Sequence, residues 1–261
     1  MSTMTRVAAW QCEPGPLDVE RNLQRLDEIC AAAAARAVDV LVTPEMFVSG
    51  YGLTPEAAAR LAERPGGETE AAVAQIARRN HLAIVYGYPE RSGGRRPYNA
   101  AALVDPDGTV RGRHRKVHLF GDVDRALFAA NEHRPAAFDV DGARVGLLIC
   151  YDVEFPEAVR SLAVDGARTV LVPTANMVGY DVVQQVLVRA RAAENGCGLV
   201  YANYCGADEE FEYNGQSLIC GPGGEVLAQA DAKGEELIVA DLPTESVGTY
   251  LEDRRADLYA D

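Results

Sequence analysis

Three side chains of different chemistry lie at the ends of predicted strands. Glu45 and Cys150 each follow a short apolar run, and Lys116 closes a strand-like segment. Ligands of open α/β sheets bind at the carboxyl ends of the strands, so these positions favour a site. A cysteine nucleophile needs a base, a group that stabilises an oxyanion, and usually a third group that orients them. An acid, a base and a thiol at three strand ends therefore form a plausible catalytic set.

The thiol lies at a predicted strand-to-helix corner in the segment 146–157. Pro156 suits the first position of a helix, and Glu154 and Glu157 suit a helix N-terminus. Unpaired backbone N–H groups at such a corner favour a thiolate and can hold an oxyanion. The corner alone leaves open the alternative that Cys150 is a small buried hydrophobic residue ending a strand.

Histidine is the usual base for a cysteine nucleophile, but none of the four histidines follows a strand in a way that directs it at Cys150. They are His81, His114, His118 and His133. Glu45 and Lys116 are better placed. Taken singly, each also has a simpler explanation, a loop cap for Glu45 and a solvated base for Lys116. Their combination with the thiol is what favours catalysis.

Strand-like and helix-like segments alternate along the chain, which predicts a sheet core with helices outside. Residues Val19, Leu23, Leu26 and Cys30 share one face of a first helix. Predicted strands cover 6–12, 38–43, 81–88, 98–104, 109–116, 144–149, 168–172, 198–204, 215–220, 225–231 and 235–241, and further helices cover 69–79, 156–165 and 181–194. A turn at 105–108 joins two of the strands.

The strand ends at 39–46 and 169–177 resemble each other, which indicates two similar halves that contribute loops to one site. No proline- or serine-rich linker divides the chain. We therefore predict a single domain over residues 1–261 with an α/β fold.

Composition narrows the class of protein. The net charge of −14 argues against a nucleic-acid partner and suits attraction of cationic small molecules. The six cysteines are scattered without metal-ligand spacing, so we expect reduced thiols and no metal site. Without an apolar run of membrane-spanning length or a signal-peptide pattern, we expect a cytoplasmic protein with no membrane partner.

Three motifs, at 43–46, 115–120 and 150–157, resemble those of the nitrilase or carbon–nitrogen hydrolase superfamily, in order and spacing, from about residue 5 to residue 260. The resemblance implies an αββα sandwich of two facing sheets with helices outside. It implies a homodimer in an extended αββα-αββα arrangement, with the C-terminal tail 249–261 at the dimer interface. It implies no metal and no organic cofactor.

The resemblance also implies a Glu45, Lys116 and Cys150 triad. In that scheme Cys150 attacks an amide, Glu45 carries protons, and Lys116 stabilises the oxyanion with the backbone N–H of Tyr151. A thioester forms and is hydrolysed. Many amidases of the superfamily carry a second glutamate after the lysine, and here Asp124 stands in that stretch as its shorter equivalent.

Within the superfamily, Cys-Tyr-Asp at the nucleophile resembles the amidase and carbamoylase branches. Segments 86–91, 172–177, 191–195 and 201–206 are similar to those of 5-aminopentanamidases and stereoselective amidases of amino-acid amides. The expected substrate is a small amide that bears an amino group. By their places after motif strands, the side chains expected to line its pocket are Tyr51, Asn176 and Tyr204.

An ammonium substrate needs an anionic or carbonyl-rich rim, because a buried ammonium without partners is costly. One interpretation of the acidic loop 207–212 is that it supplies this rim. The alternative interpretation is a solvated turn. The alternative enzyme is an N-carbamoyl amino acid hydrolase, in which Arg189 or Arg191 would hold the substrate carboxylate. Alternatives from other classes are an inactive binding protein, which the intact triad disfavours, and a thiol redox protein.

Overall fold

The computed structural model describes residues 4–140 and 142–245, together with 253, 255 and 257. Its centre is a pair of six-stranded sheets that pack face to face, with helices on both outer faces. The tail predicted at 249–261 lies outside the described residues except for those three single positions.

The first sheet contains the N-terminal strands and the last strand of the chain. Its strands are β1 (Met4–Gln11), β2 (Val40–Val42), β3 (Ala83–Glu90), β4 (Tyr98–Val104), β5 (Val110–Arg115) and β14 (Glu236–Pro243). They lie in the order β14-β1-β2-β3-β4-β5. The three strands β1 to β3 are parallel, and the other pairings are antiparallel.

The second sheet is built from the C-terminal half. Its strands are β6 (Ala137–Val140), β7 (Ala143–Leu147), β8 (Thr169–Pro173), β9 (Gly198–Ala202), β12 (Leu218–Cys220) and β13 (Val226–Gln229). They lie in the order β13-β12-β9-β8-β7-β6. A separate antiparallel hairpin joins β10 (Cys205–Ala207) to β11 (Glu212–Asn214).

The two sheets share one topology. In each, three parallel strands are followed by two antiparallel ones, as β1-β2-β3-β4-β5 and as β7-β8-β9-β12-β13. One antiparallel strand, β14 or β6, completes each sheet at the other edge. The internal similarity expected from the two strand ends is confirmed, and both of those ends, after β2 and β8, adjoin the same site.

The helices are α1 (Val19–Ala35), α2 (Pro55–Leu61), α3 (Glu68–Asn80), α4 (Gly121–Leu127), α5 (Pro156–Val164) and α6 (Val188–Asn195). Asp18 caps α1 and Thr54 caps α2 through side-chain oxygens that accept backbone N–H groups. Pro156 occupies the first turn of α5, as predicted. None of the helices in the described ranges is both long and apolar enough to span a bilayer.

Alternation along the strands produces three layers of core. In β1, Val7 and Ala9 face the other sheet, whereas Ala8 and Trp10 face the outer layer that contains α1. A third cluster fills the space between the second sheet and α5 and α6. Each fully buried Val or Leu contributes about 1.5–3 kcal/mol, so the hydrophobic effect fixes which face of every strand points inward.

Several short elements differ from the predictions. The helices α2 and α4 and the β10–β11 hairpin were not expected, because elements of three to seven residues are too short to show a period. The helix expected at 181–194 is a π-helical turn at Val183–Leu187 followed by α6. These differences matter at the site, because α4 carries one of its acids.

Candidate active site

The first component of the site is the loop after β2. The chain leaves the sheet at Val42, and the backbone N–H of Glu45 donates to the carbonyl of Thr174, beyond β8, at 3.1 Å. Met46 adopts a positive φ of 53°. This sharp turn places the Glu45 side chain in the interior, where it is fully buried.

Lys116 is the second component and follows β5 directly. Its backbone N–H donates to the carbonyl of Asn99 at 2.8 Å, which extends the strand pairing by one residue. The buried ammonium Nζ lies 2.7 Å from Glu45 Oε1 and 2.7 Å from Asp124 Oδ2. Burial alone would lower the pKa of Lys116, but the negative charges of Asp124 and Glu45 outweigh it and raise the pKa. The two carboxylates therefore stabilise the charged form of the lysine.

Asp124, the predicted equivalent of a second glutamate, is brought to the site by α4. Its Oδ2 accepts from Lys116 Nζ and from the backbone N–H of Phe120 at 2.9 Å. Its Oδ1 accepts from the hydroxyl of Tyr51 at 2.8 Å. Because both oxygens are occupied, Asp124 is suited to holding Lys116 in place.

Glu45 has one engaged and one free oxygen. Oε1 accepts from Lys116 Nζ and, at 2.7 Å, from Asn99 Nδ2. Oε2 is buried and has no hydrogen-bond partner among the described residues. Burial raises the pKa of Glu45, and the charge of Lys116 opposes that rise. A buried carboxylate oxygen without a hydrogen-bond partner lowers the stability of the fold, unless a bound molecule donates a hydrogen bond to it or the oxygen is protonated.

Cys150 begins a 3-10 turn, Cys150–Glu154, just beyond the end of β7. Its φ of 46° is unusual for a residue other than glycine. The first hydrogen bond of this turn runs from Asp152 N to Ile149 O at 3.0 Å. The N–H groups of Cys150 and Tyr151 precede that bond, so they have no acceptor within the turn.

Burial raises the pKa of the Cys150 thiol, the nearby Glu45 raises it further, and Lys116 opposes both. The expectation that the corner would favour a thiolate is wrong for this structure. Burial and the charge of Glu45 destabilise the thiolate more than Lys116, the Thr174 side chain and the Ala175 backbone stabilise it. The thiol is neutral at rest, so its attack on a carbonyl requires a base.

Asp152 fastens the nucleophile turn to the loop that carries Lys116. Its carboxylate accepts from His114 Nε2 and His118 Nδ1, both at 2.9 Å. It also accepts from the backbone N–H groups of Val117, His118 and Ile149. Two of the four histidines therefore contact this aspartate, and Glu45 and Lys116 are the groups beside the thiol.

The thiol borders a small cleft. Its walls are formed by Tyr51, Phe120, Cys150, Tyr151, Glu154, Ala175, Asn176, Met177 and Tyr180. Two predicted pocket residues, Tyr51 and Asn176, are among them. The Asn176 amide is held by Gln184 Oε1 at 3.0 Å and the Tyr180 carbonyl at 3.2 Å.

Tyr204, the third predicted pocket residue, does not line this cleft. It is fully buried in the outer core of the first sheet, with its ring 5.2 Å from that of Tyr213. Complete burial of an aromatic ring removes more apolar surface from water than a place on a cleft wall does, so it stabilises the fold more.

The acidic loop 207–212 is a turn outside the cleft wall. Asp208 accepts from the Tyr213 hydroxyl at 2.6 Å and from backbone N–H groups of its own loop, while Glu209 and Glu210 are exposed. Of the two interpretations left open by the sequence, the solvated turn fits these contacts.

The two arginines considered for a substrate carboxylate are also engaged elsewhere. Arg189 donates to the Gly224 carbonyl at 3.1 Å. Arg191 pairs with Glu194 at 3.2 Å and donates to the backbone carbonyl of Glu154 at 2.6 Å. Neither arginine belongs to the cleft wall.

Sequence reasoning missed Asn99, Asp152 and the side chain of Glu154 as site residues. Asn99 lies inside an apolar strand, where a buried amide is itself a signal because it needs partners. The described residues contain no group of three or more His, Cys, Asp or Glu side chains arranged to hold a metal ion.

With the geometry established, comparison with known proteins defines the class. The profile of the family described as Carbon-nitrogen hydrolase matches residues 6–251. This chain belongs to the carbon–nitrogen hydrolase family, and its αββα sandwich is the fold of the nitrilase superfamily.

Particular relatives include amidases. A protein named "Hydrolase in pqqF 5'region" from Pseudomonas protegens is 48% identical over 98% of this chain and 91% of its own length. An (R)-stereoselective amidase from Pseudomonas sp. is 36% identical, covering 91% of this chain and 87% of the relative. A double mutant of the amidase from Nesterenkonia sp. AN1, in complex with acrylamide, superimposes with a TM-score of 0.89. It is 35% identical and covers 99% of this chain and 97% of that one.

Proposed function

We propose that this carbon–nitrogen hydrolase is an amidase that converts a small carboxamide to a carboxylate and ammonia through a Cys150 thioester. The observation that carries the proposal is the buried Glu45–Lys116 pair near Cys150, with Glu45 Oε2 left without a hydrogen-bond partner in the described part of the chain. Glu45 is thus a base with a free oxygen, and Lys116 is a fixed positive charge.

In the first half-reaction, Glu45 Oε2 takes the thiol proton as Cys150 Sγ attacks the amide carbon. An ammonium has three N–H groups and Lys116 uses two on Glu45 and Asp124, so the third is available to the oxyanion. The Tyr151 N–H supplies a second donor. Each preorganised donor of this kind is worth about 3 kcal/mol in the transition state.

When the tetrahedral intermediate collapses, the carbon–nitrogen bond breaks and Glu45 gives its proton to the leaving nitrogen, which departs as ammonia. A water molecule then attacks the thioester while Glu45 accepts one of its protons. The carbon–sulfur bond breaks, the carboxylic acid leaves, and the proton returns from Glu45 to Cys150. The enzyme is restored with no net change in its own protonation.

The substrate class in this proposal is a small amide that bears an amino group, such as 5-aminopentanamide. Support comes from the charge of the cleft wall: among the described residues it contains one carboxylate and no lysine, arginine or histidine. The alternative carbamoyl amino acid hydrolase would need a cation for the substrate carboxylate, and both candidate arginines are engaged outside the wall.

Ammonia release tests the proposal. We would assay 5-aminopentanamide, hexanamide and N-carbamoyl-β-alanine, with Cys150→Ala as the blank, and measure carbon dioxide beside ammonia. We expect Cys150-dependent ammonia from the amides without carbon dioxide. Release from the carbamoyl compound alone, with carbon dioxide, would establish the alternative.

A further inference from the structure

We propose that Glu154 binds the ammonium group of the substrate and thereby selects cationic amides; this inference rests on the proposed amidase function. It makes Glu154 a specificity-determining residue on the wall of the cleft. The nucleophile and this anchor would then belong to one 3-10 turn, Cys150–Glu154.

Glu154 is the last residue of that turn and lines the same cleft as Cys150. The residue is half-buried. The rest of the wall is largely aromatic, with Tyr151 from the same turn and the rings of Phe120 and Tyr180, which pack edge to face with centroids 5.5 Å apart. Such rings favour a cation over an anion.

The Glu154 carboxylate has no hydrogen bond and no ion pair within the described part of the chain, although two cations lie near enough to influence it. Lys116 is held by Glu45 and Asp124. Arg191 contacts the Glu154 backbone carbonyl and pairs with Glu194. Both cations are therefore already engaged.

A half-buried carboxylate without a partner is unfavourable, and burial accordingly raises the pKa of Glu154 while Lys116 and Arg191 oppose that rise. A primary ammonium entering the cleft would supply the missing partner by a charge-assisted hydrogen bond. The acidic loop cannot take this role, since Asp208 is occupied by Tyr213 and by backbone N–H groups.

The test compares two nearly isosteric amides, 5-aminopentanamide and hexanamide, in which a methyl group replaces the ammonium. The variant is Glu154→Gln, with Glu154→Ala as a second variant without the charge in case the first folds poorly. The matched control is Glu157→Gln, which removes the same charge three residues away on the exposed first turn of α5. Circular dichroism and thermal melting check that each variant is folded.

We expect Glu154→Gln to lower the ratio of kcat/KM for 5-aminopentanamide over hexanamide by at least about tenfold, mainly through KM, because it replaces a charge-assisted bond by a neutral one. Glu157→Gln should leave the ratio and both rates unchanged.

An unchanged ratio in a folded Glu154→Gln or Glu154→Ala protein, or equal losses on both amides, would overturn the role of Glu154 without contradicting the amidase activity. So would wild-type turnover of hexanamide alone. If the wild type releases ammonia from neither amide, the proposed function itself fails, and the role of Glu154 fails with it.

Discussion

At Glu45, burial and charge pull the pKa of one carboxyl in opposite directions. Removal from water raises it, and the ammonium of Lys116 lowers it. A general base works best when its pKa lies near the pH at which the enzyme operates, and burial moves a carboxyl pKa in that direction. Glu45 and Lys116 also act on Cys150, whose pKa is raised mainly by burial; in the proposed mechanism Glu45 accepts the proton of this thiol.

We predict that Glu45→Gln lowers kcat by at least about 100-fold, since proton transfer by a placed base contributes about 10²–10⁴-fold. The substitution keeps the shape and the acceptor for Lys116 and removes the base. Steady-state kinetics with 5-aminopentanamide measure kcat of the variant and of the wild type. Glu56→Gln, on the exposed first turn of α2, is the control. A loss of less than tenfold would show that Glu45 is not the proton carrier.

At the scale of elements, the Glu45 loop depends on how closely β3 approaches it. A Cβ built on Gly87 would overlap the backbone nitrogen of Met46 and lie 3.0 Å from the carbonyl carbon of Glu45. The Gly87 carbonyl also accepts from Val48 N at 3.2 Å. Glycine is therefore required in this strand by the backbone that crosses it.

We predict that Gly87→Ala displaces Glu45 and lowers kcat/KM at least about tenfold, because small misplacements of catalytic groups have large effects. Overpacking should also cost about 1–3 kcal/mol of unfolding free energy. Gly93→Ala, with no atom within 4 Å of the new Cβ, is the matched control. Full activity in Gly87→Ala would mean that the loop tolerates the shift.

The hydrogen bonds that the Asp152 carboxylate accepts from His114 and His118 join the end of β5 to the 3-10 turn that begins at Cys150. Burial alone would raise the pKa of Asp152, but hydrogen bonds from His114 and His118 outweigh it and hold the pKa well below its usual range. A depressed carboxyl pKa stabilises the fold above the ordinary aspartate pKa of about 4. That stability is lost as the pH falls through the folded-state value.

We predict that Asp152→Asn lowers the unfolding free energy by about 3 kcal/mol at pH 7, because it breaks a buried, fully hydrogen-bonded charge. Urea titrations at pH 7 and pH 3 measure the unfolding free energy of both proteins. The difference between the variant and the wild type should be smaller at pH 3. Asp122→Asn, on an exposed side chain of α4, is the control. An equal gap at both pH values would contradict the linkage.

The sequence was most informative where a reactive side chain directly follows a strand-like apolar run. Glu45 and Cys150 each follow a buried strand, and Lys116 follows β5, so local patterns were enough to bring them together. Asp124 had the right spacing, but α4 was too short for its period to be seen. The direction of the Cys150 pKa and the burial of Tyr204 depend on residues distant in the chain, which a local pattern does not contain.

At the scale of the whole molecule, one surface segment carries exposed apolar side chains beside the cleft. Val178, Val182 and Val186 recur every fourth residue and are each 53% exposed, and Tyr180 between them is also a cleft residue. We propose that a second copy of this chain covers this segment, in the homodimer that the superfamily resemblance implies.

We predict that sedimentation velocity finds a dimer, and that Val182→Asp combined with Val186→Asp shifts it to monomer. A charge buried in an apolar interface without a partner is strongly unfavourable. Leu17→Asp, at another exposed apolar position, should leave the dimer intact. A monomeric wild type, or a dimer that survives the double substitution, would show that this segment is not the interface.

Intact-protein mass spectrometry of enzyme quenched during turnover tests most directly whether the reaction passes through a Cys150 thioester. On hexanamide or 5-aminopentanamide, the wild type should show an adduct of the acyl group, equal to the amide minus ammonia, mapped to Cys150. Cys150→Ala should show neither adduct nor ammonia release. Sustained ammonia release by Cys150→Ala, or an acyl group on another residue, would contradict the account.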